Sequence, residues 1–319
     1  MPRLKILNLD HTIQITNAIF VLMLSVLIPV YDCSIYSLVK ELHQQLTESG
    51  IDFEILCFDD GSTSSSIIEN NNKVNAFSHT TYALLDKNYG RSLIRNKLAS
   101  KAKYEYLLFI DNDSLITNAN YIKKYITVLQ KGYHVVYGGR VHPKEVEPQQ
   151  TLRWKYGVAR EDLNAQKRQL KKFKCLLFNN TVIKNTVFSS VKFSSDINTY
   201  GHEDTLLAYQ LSLSNVNVLH IDNEVVHNTI DTNIEFLNKT DLSLQNLKSL
   251  YYSKTIDYNF VRFLRIYKKI ERLGVTFILK FMYSVLKKPF QAQLCSKTPS
   301  LFIYDLYRFG YFSSINHKR

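Results

Sequence analysis

What most constrains this chain is the rhythm of its first 140 residues, in which apolar runs of strand length alternate with stretches of helical spacing. "MLSVLIPVY" (23–31), "FEILCF" (53–58), "TYALLD" (81–86), "YEYLLFI" (104–110) and "HVVYGG" (134–139) read as strands. Between them Ile35, Leu38, Val39, Leu42 and Leu46 repeat at helical spacing before a stop at Gly50, and Leu93, Ile94 and Leu98 are expected to point inward from another helix. Apolar strands joined by helices imply right-handed crossovers and a mainly parallel sheet covered on both faces. Ligands of such sheets sit beyond the carboxyl ends of the strands. "PVYD", "DDGS", "NYG" and "DND" then share one edge, although more than 80 residues separate the first from the last.

The second half is less regular. Residues 151–172 read as a charged helix, "KCLLFNN" (174–180) as a strand, "GHEDTLLAYQLSL" (201–213) as a turn leading into a helix, and "VNVLHIDNEVVH" (216–227) as a strand pair. Ten Gly and six Pro in 319 residues leave little room for flexible linkers. The cysteines, Cys33, Cys57, Cys175 and Cys295, form no CxxC pair, which argues against a zinc ribbon or a disulfide framework and suits a reducing compartment. The apolar run Ala18–Val30 is too short to cross a bilayer and no small-x-small cleavage site follows, so it is read as a buried first strand.

The strand "YLLFI" ends in Asp111, Asn112 and Asp113. Carboxylates at i and i+2 repel unless neutralised, and Mg²⁺ or Mn²⁺ shared with phosphate oxygens does this; a surface turn is the plainer alternative. Asp60, in "FDDGS", can accept from the N–H of a nucleobase, and Tyr31, following Pro29, can stack on one. Turn chemistry and ordinary packing are the alternatives. In "NYGRSLIRN" Gly90 opens a helix with Arg95 little more than a turn further on, a phosphate-binding arrangement or else a capped helix with a surface arginine. Glu203 and Asp204 sit at the mouth of a helix, where acids complement the dipole or serve as a general base. His227 is a candidate third metal ligand beside the Asp111–Asp113 pair.

Taken in order, "VLIPVYD", "DDGS", "NYGRSLIRN", "DND", "GHED" and "NEVVHN" make the chain resemble a family 2 glycosyltransferase of the nucleotide-sugar-binding GT-A fold, over roughly residues 22–240. The resemblance implies an α/β, Rossmann-like, mainly parallel sheet flanked by helices. It divides the chain into an N-terminal extension (1–21), a catalytic domain (22–240, with a nucleotide-binding half to 115 and an acceptor half from 116) and a basic helical extension (241–319). It implies that Pro29 and Tyr31 line the base pocket with Asp60 on the base edge, that Arg95 lies near the diphosphate, and that Asp111 and Asn112 face the donor. Asp111 and Asp113 would hold Mn or Mg, with His227 assisting; Asp204 would be the base of an inverting displacement, with Glu203 touching the acceptor. A UDP-sugar donor and a glycan or lipid-linked glycan acceptor follow, in the synthesis of cell-envelope polysaccharide. Two features depart from the family pattern. About 20 residues precede the first strand, so 1–21 is an added element or Met23 the natural start, and "FNN" (178–180) stands where many members carry a glycine-rich segment.

Other readings fit less well. A non-catalytic sugar-nucleotide binder should lack the base or the metal carboxylates, and both are present. A nucleotidyltransferase wants basic residues for a triphosphate near the first strand, and "PVYDCS" offers none. A nucleic-acid binder should carry its charge along the sheet edge, but residues 261–319 hold 12 of the 40 Lys/Arg and only two of the 28 acids in a chain of net charge +12. The expectation is a cytoplasmic protein binding no nucleic acid. Its 258–290 segment either contacts the inner face of the membrane or packs as a helical lid. On a helical wheel Phe260, Phe263, Leu264, Tyr267 and Ile270 share one face, with Arg262, Arg265, Lys268, Lys269 and Arg272 mostly opposite.

Overall fold

The computed structural model describes residues 22–316; the N-terminal extension of 1–21 lies outside them. In chain order the first half comprises β1 (Met23–Val30), α1 (Tyr36–Ser49), β2 (Asp52–Asp59), α2 (Ser65–Asn72), β3 (Thr80–Leu84), α3 (Arg91–Lys101), β4 (Tyr106–Ile110), β5 (Ser114–Leu115), α4 (Tyr121–Leu129), β6 (Val135–Tyr137) and β7 (Arg140–Val141). There follow α5 (Thr151–Arg160), α6 (Ala165–Gln169), β8 (Asn180–Lys184), α7 (Asn185–Val191), α8 (Glu203–Ser212), β9 (Val218–His220), β10 (Val225–His227), α9 (Asn233–Tyr252), α10 (Arg262–Arg272), α11 (Thr276–Leu294) and α12 (Leu301–Ser314).

Seven strands form the central sheet in the order β3-β2-β1-β4-β8-β6-β9. All are parallel except β8, which runs antiparallel to both β4 and β6. Alternate residues of β4 show why its sequence is uniformly apolar. Leu108 and Ile110 pack with Leu42 of α1 and Tyr125 of α4, while Leu107 and Phe109 pack on the other face with Leu98 of α3 and Leu211 of α8. A strand buried on both faces has no polar side to show. The register sets Val30 beside Asp59 and Asp59 beside Leu84, so the polar residues after β1, β2, β3 and β4 open on one edge. A small second sheet, β5-β10-β7, closes that edge.

Several expectations are corrected. "KCLLFNN" is not a strand: Leu176 and Phe178 are buried from a loop, and pairing begins only at Asn180, opposite Ile110. Residues 151–172 are two helices, because Asn164 interrupts the run and caps α6 with its side chain on the Lys167 N–H, 2.9 Å away. The late strand pair is split, β9 joining the large sheet and β10 the small one. Leu93 is only half-buried, whereas Ile94 and Leu98 are buried as expected and Arg95 is buried beside them. The basic amphipathic stretch becomes α10, whose apolar side is not free for a bilayer. Phe263 stacks on Phe309 at 4.4 Å, and Phe263, Leu264 and Tyr267 are buried with α9 and Phe312 of α12. None of the described helices is long and apolar enough to cross a membrane.

Candidate active site

The strand edge opens into a cleft of about 670 Å³. Pro29 and Tyr31 lie at its mouth, Tyr31 still 49% exposed and so available as a flat face. Asp32, at φ 41°, ties the first two loops together: its carboxylate accepts from the N–H of Thr63 and of Ser64 (2.8 and 3.2 Å) and from the Thr63 hydroxyl. Asp60, expected on the base edge, is a loop brace in this structure. Its Oδ1 accepts from the Tyr89 N–H (2.7 Å) and its Oδ2 from the Gly90 N–H (2.9 Å), holding the turn in which Gly90 takes φ 81° just before α3.

Arg95, expected near a diphosphate, lines the cleft, buried to 1% exposure and aimed at carboxylates. Its Nη2 donates to Asp111 Oδ1 at 2.6 Å, and its Nη1 lies 3.8 Å from Glu203 Oε1. Arg91, one helical turn earlier, donates from Nε to Glu203 at 2.8 Å and lies 3.8 Å from Asp111. Burial raises the proton affinity of Asp111 and of Glu203. The two guanidiniums more than offset this, leaving both carboxyls below the ordinary carboxylate range. Glu203, expected against the acceptor, is thus an anchor for two arginines. Arg91 escaped the sequence reading, although its place four residues before Arg95 was a usable signal.

The argument that Asp111 and Asp113 need a cation to relieve their repulsion falls away, since Asp111 is already compensated by Arg95. Asp113 is paired differently. The antiparallel register of β5 and β10 sets Ser114 beside His227, and this brings His227 Nδ1 to 3.0 Å from Asp113 Oδ2 on the cleft wall. No group of three or more His, Cys, Asp or Glu side chains forms a ready metal cage among the described residues. A carboxylate beside open space nonetheless fits a divalent cation that takes its other ligands from substrate oxygens and water, as Mg²⁺ does, with the neighbouring imidazole as a further donor. Asn112 also lines this wall.

Asp204 is the exception to this charge pairing. It lies in the first turn of α8, where Oδ2 accepts from the Phe178 N–H at 3.1 Å, while Oδ1 is shielded from water without a hydrogen-bond partner. Burial first, then the neighbouring Glu203 charge, pushes its carboxyl up to about 6, against the pull of Arg95 and Arg91. A half-satisfied carboxylate with raised proton affinity on a cleft wall is suited to accept a proton. "FNN" therefore supplies the backbone that orients Asp204, while Asn180 is buried as a brace, accepting the hydroxyls of Tyr121 and Tyr125 at 2.6 and 2.7 Å.

The far end of the cleft held residues with no sequence signature. Arg140 and Arg153 converge on Glu161 at 2.5 and 2.9 Å and hold its carboxyl low despite burial. Outside the cleft lining, the buried His142 Nδ1 meets Asp162 at 2.7 Å, and its ring lies so close to Gly157 that a Cβ there would come within 2.1 Å of it. Tyr156, Phe236 and Lys239 complete the wall.

A mixed α/β sheet whose carboxyl edge gathers acids, arginines and an exposed aromatic into one cleft belongs to the class of open α/β folds that bind ligands beyond the carboxyl ends of their strands. Residues 25–196, just over half of the chain, match the family model for glycosyl transferase family 2, and the chain belongs to that family. A Haemophilus influenzae protein described as an uncharacterized glycosyltransferase is 29% identical over 116 residues, 36% of this chain and 46% of that one. The match thus spans less than half the length of that relative. The mannosyltransferase PcManGT from Pyrobaculum calidifontis, solved in complex with GDP-Man and Mn²⁺, superposes with a TM-score of 0.51 at 14% identity, over 72% of this chain and 64% of that one. S. aureus TarS gives 0.50 at 15% identity, over 90% of this chain and 54% of that one. At such identities the likeness establishes the fold, which is GT-A.

Proposed function

We propose that the protein transfers a sugar, with inversion, from a nucleoside-diphosphate sugar to a hydroxyl of a glycan or lipid-linked glycan. The observation that carries this reading is Asp204, whose Oδ1 has no partner on the same cleft as the Asp111–Asp113 edge. The Asp204 carboxylate takes the proton of the acceptor hydroxyl as that oxygen attacks the anomeric carbon from the face opposite the diphosphate. Glu203 keeps Arg91 and Arg95 in place, and Arg95 holds Asp111 ionised toward the donor. Pro29 and Tyr31 receive the base. UDP is the nucleotide implied by the family resemblance, and GDP is its competitor because PcManGT was solved with GDP-Man. Asp113 and His227 would hold Mn²⁺ or Mg²⁺, whose chemistry when bound is to neutralise the leaving diphosphate.

The test is calorimetry with a panel of UDP- and GDP-sugars, with Mn²⁺ and with chelator, on wild type and Asp204→Asn, alongside transfer assays. Donor binding should survive in the variant while transfer is lost, because only proton abstraction is removed. Transfer by the variant at the wild-type rate would reduce Asp204 to a helix cap.

A further inference from the structure

We propose that the outer face of α11 is the surface through which this protein lies on an anionic lipid bilayer. Phe277, Phe281 and Val285 recur at i, i+4 and i+8 and are 68%, 69% and 60% exposed, with Ile278 beside them at 51%. Four large apolar side chains on one helix, each more than half in water, form a patch of the kind that marks an interaction site. The helix is firmly seated beneath them. Tyr283, Phe290 and Leu294 on its inner side are buried with Tyr304 and Tyr307 of α12, and Gly310 of α12 lets the two helices approach so closely that a Cβ there would come within 2.7 Å of Tyr283. The exposed face is therefore a consequence of the packing rather than of a loose end.

The charge around the stripe selects its occupant. Lys280 and Lys287, seven residues apart, run along one edge of it, and Lys288 lies at its carboxyl end, all exposed. Long lysine stems beside an apolar stripe can lie along the acyl boundary while their ammonium groups reach the headgroups. The two acids of 261–319 are already engaged, Glu271 with Lys268 and Tyr251, and Asp305 with Arg160 and Arg308. Lys280, Lys287 and Lys288 are exposed with no ion pair to either of these acids, and anionic headgroups supply the answering charge. A protein partner would need a complementary acidic and apolar groove, and a second copy of this segment would oppose cation to cation.

The position of the helix connects it to the cleft. Phe236 lines the cleft and stacks on Tyr304 of α12, the helix on which the inner face of α11 is seated, so α12 links the bilayer-facing helix to that end of the site. This deepens the reading given above, on which its functional meaning rests: the acceptor would be presented from the membrane plane. Lipid binding is measured without sugar transfer, so the two ideas can fail separately.

The experiment is co-sedimentation of the full chain with vesicles of phosphatidylcholine alone and of phosphatidylcholine with one quarter phosphatidylglycerol, at low and high salt. Wild type and Asp204→Asn should both bind the anionic vesicles, and binding should weaken in high salt. Phe277→Ser/Phe281→Ser should lower the partition at least tenfold, with an unchanged melting curve and unchanged donor affinity. Lys280→Glu/Lys287→Glu should lower it by a similar factor on anionic vesicles. Failure of wild type to bind anionic vesicles at low salt would overturn the proposal, as would wild-type binding by both double variants. A dimer in sedimentation velocity that the Phe277→Ser/Phe281→Ser variant converts to a monomer, without lipid binding in either, would assign the face to a second copy instead.

Discussion

The two walls of the cleft treat negative charge in opposite ways. Around the β4 end and at Glu203 the acids have side-chain partners: Asp111 has Arg95, Glu203 has Arg91, and Asp113 has the imidazole of His227. One residue beyond Glu203, Asp204 receives a single backbone N–H and is left with an unpartnered oxygen. Compensated carboxylates stay ionised and rigid, which suits groups that bind or brace. An uncompensated one is costly to keep charged, and that cost suits it to accept a proton. The contrast is between neighbours in sequence, and the cause is which way each side chain leaves the first turn of α8.

The comparison can be broken first at Asp204. Asp204→Asn should reduce transfer by ~10²–10⁴-fold, the usual contribution of a general base. The same variant should melt higher than wild type at neutral pH, because it removes a charge the fold disfavours. A variant that is both inactive and less stable would mean that Asp204 is structural.

The opposite wall should respond in the opposite sense. Arg95→Ala leaves Asp111 and Glu203 without their buried partner and should cost about 3–5 kcal/mol of stability, read by urea unfolding. A loss below ~1 kcal/mol would show that Arg91 alone compensates both acids.

A smaller effect separates Asp113 from Asp111. Asp113→Ala should abolish the Mn²⁺ dependence of donor affinity, and His227→Ala should weaken it less, since a carboxylate remains. Equal donor affinity with Mn²⁺ and with chelator in wild type would remove the cation from the mechanism.

The pH profile sharpens the contrast further. Asp204 has its carboxyl pushed up to about 6 by burial and by Glu203. Transfer should therefore fall about tenfold per unit as pH drops below 6, the slope of a single protonation. For stability the sign is reversed. The Asp204 contribution is full below its ordinary value of 3.8 and is lost as pH rises through about 6. Asp204→Asn should flatten the stability curve across that window; an unchanged curve would place the raised group elsewhere.

Near the C-terminus, α10 and α11 make a parallel case. Both carry lysines or arginines beside apolar residues, and the amphipathic pattern of α10 is the cleaner of the two, which is why it invited a membrane reading. Packing reversed that choice: α9 and α12 cover Phe263, Leu264 and Tyr267, and leave Phe277 and Phe281 in water. Periodicity reports that a helix has an apolar face but not what covers it.

The sequence alone determined the alternation of strand and helix, the shared polar edge and the identity of the residues along it. Strand length, apolar continuity and terminal acids are local properties, and a parallel sheet leaves them few places to go. Pairing at the site was decided only in three dimensions. That Arg95 would turn inward to Asp111, that Asp60 would be occupied by the N–H groups of Tyr89 and Gly90, and that His227 would reach Asp113 through the β5–β10 register depend on contacts between 16 and 114 residues apart. The far wall was invisible because Arg140 on β7 meets Arg153 and Glu161, which stand on α5 and at its end, only in the fold, and the three form no motif. A carboxylate's chemistry is set by the charges and donors within a few ångströms of it, and in this chain those neighbours are supplied by the tertiary fold rather than by adjacent positions in the sequence.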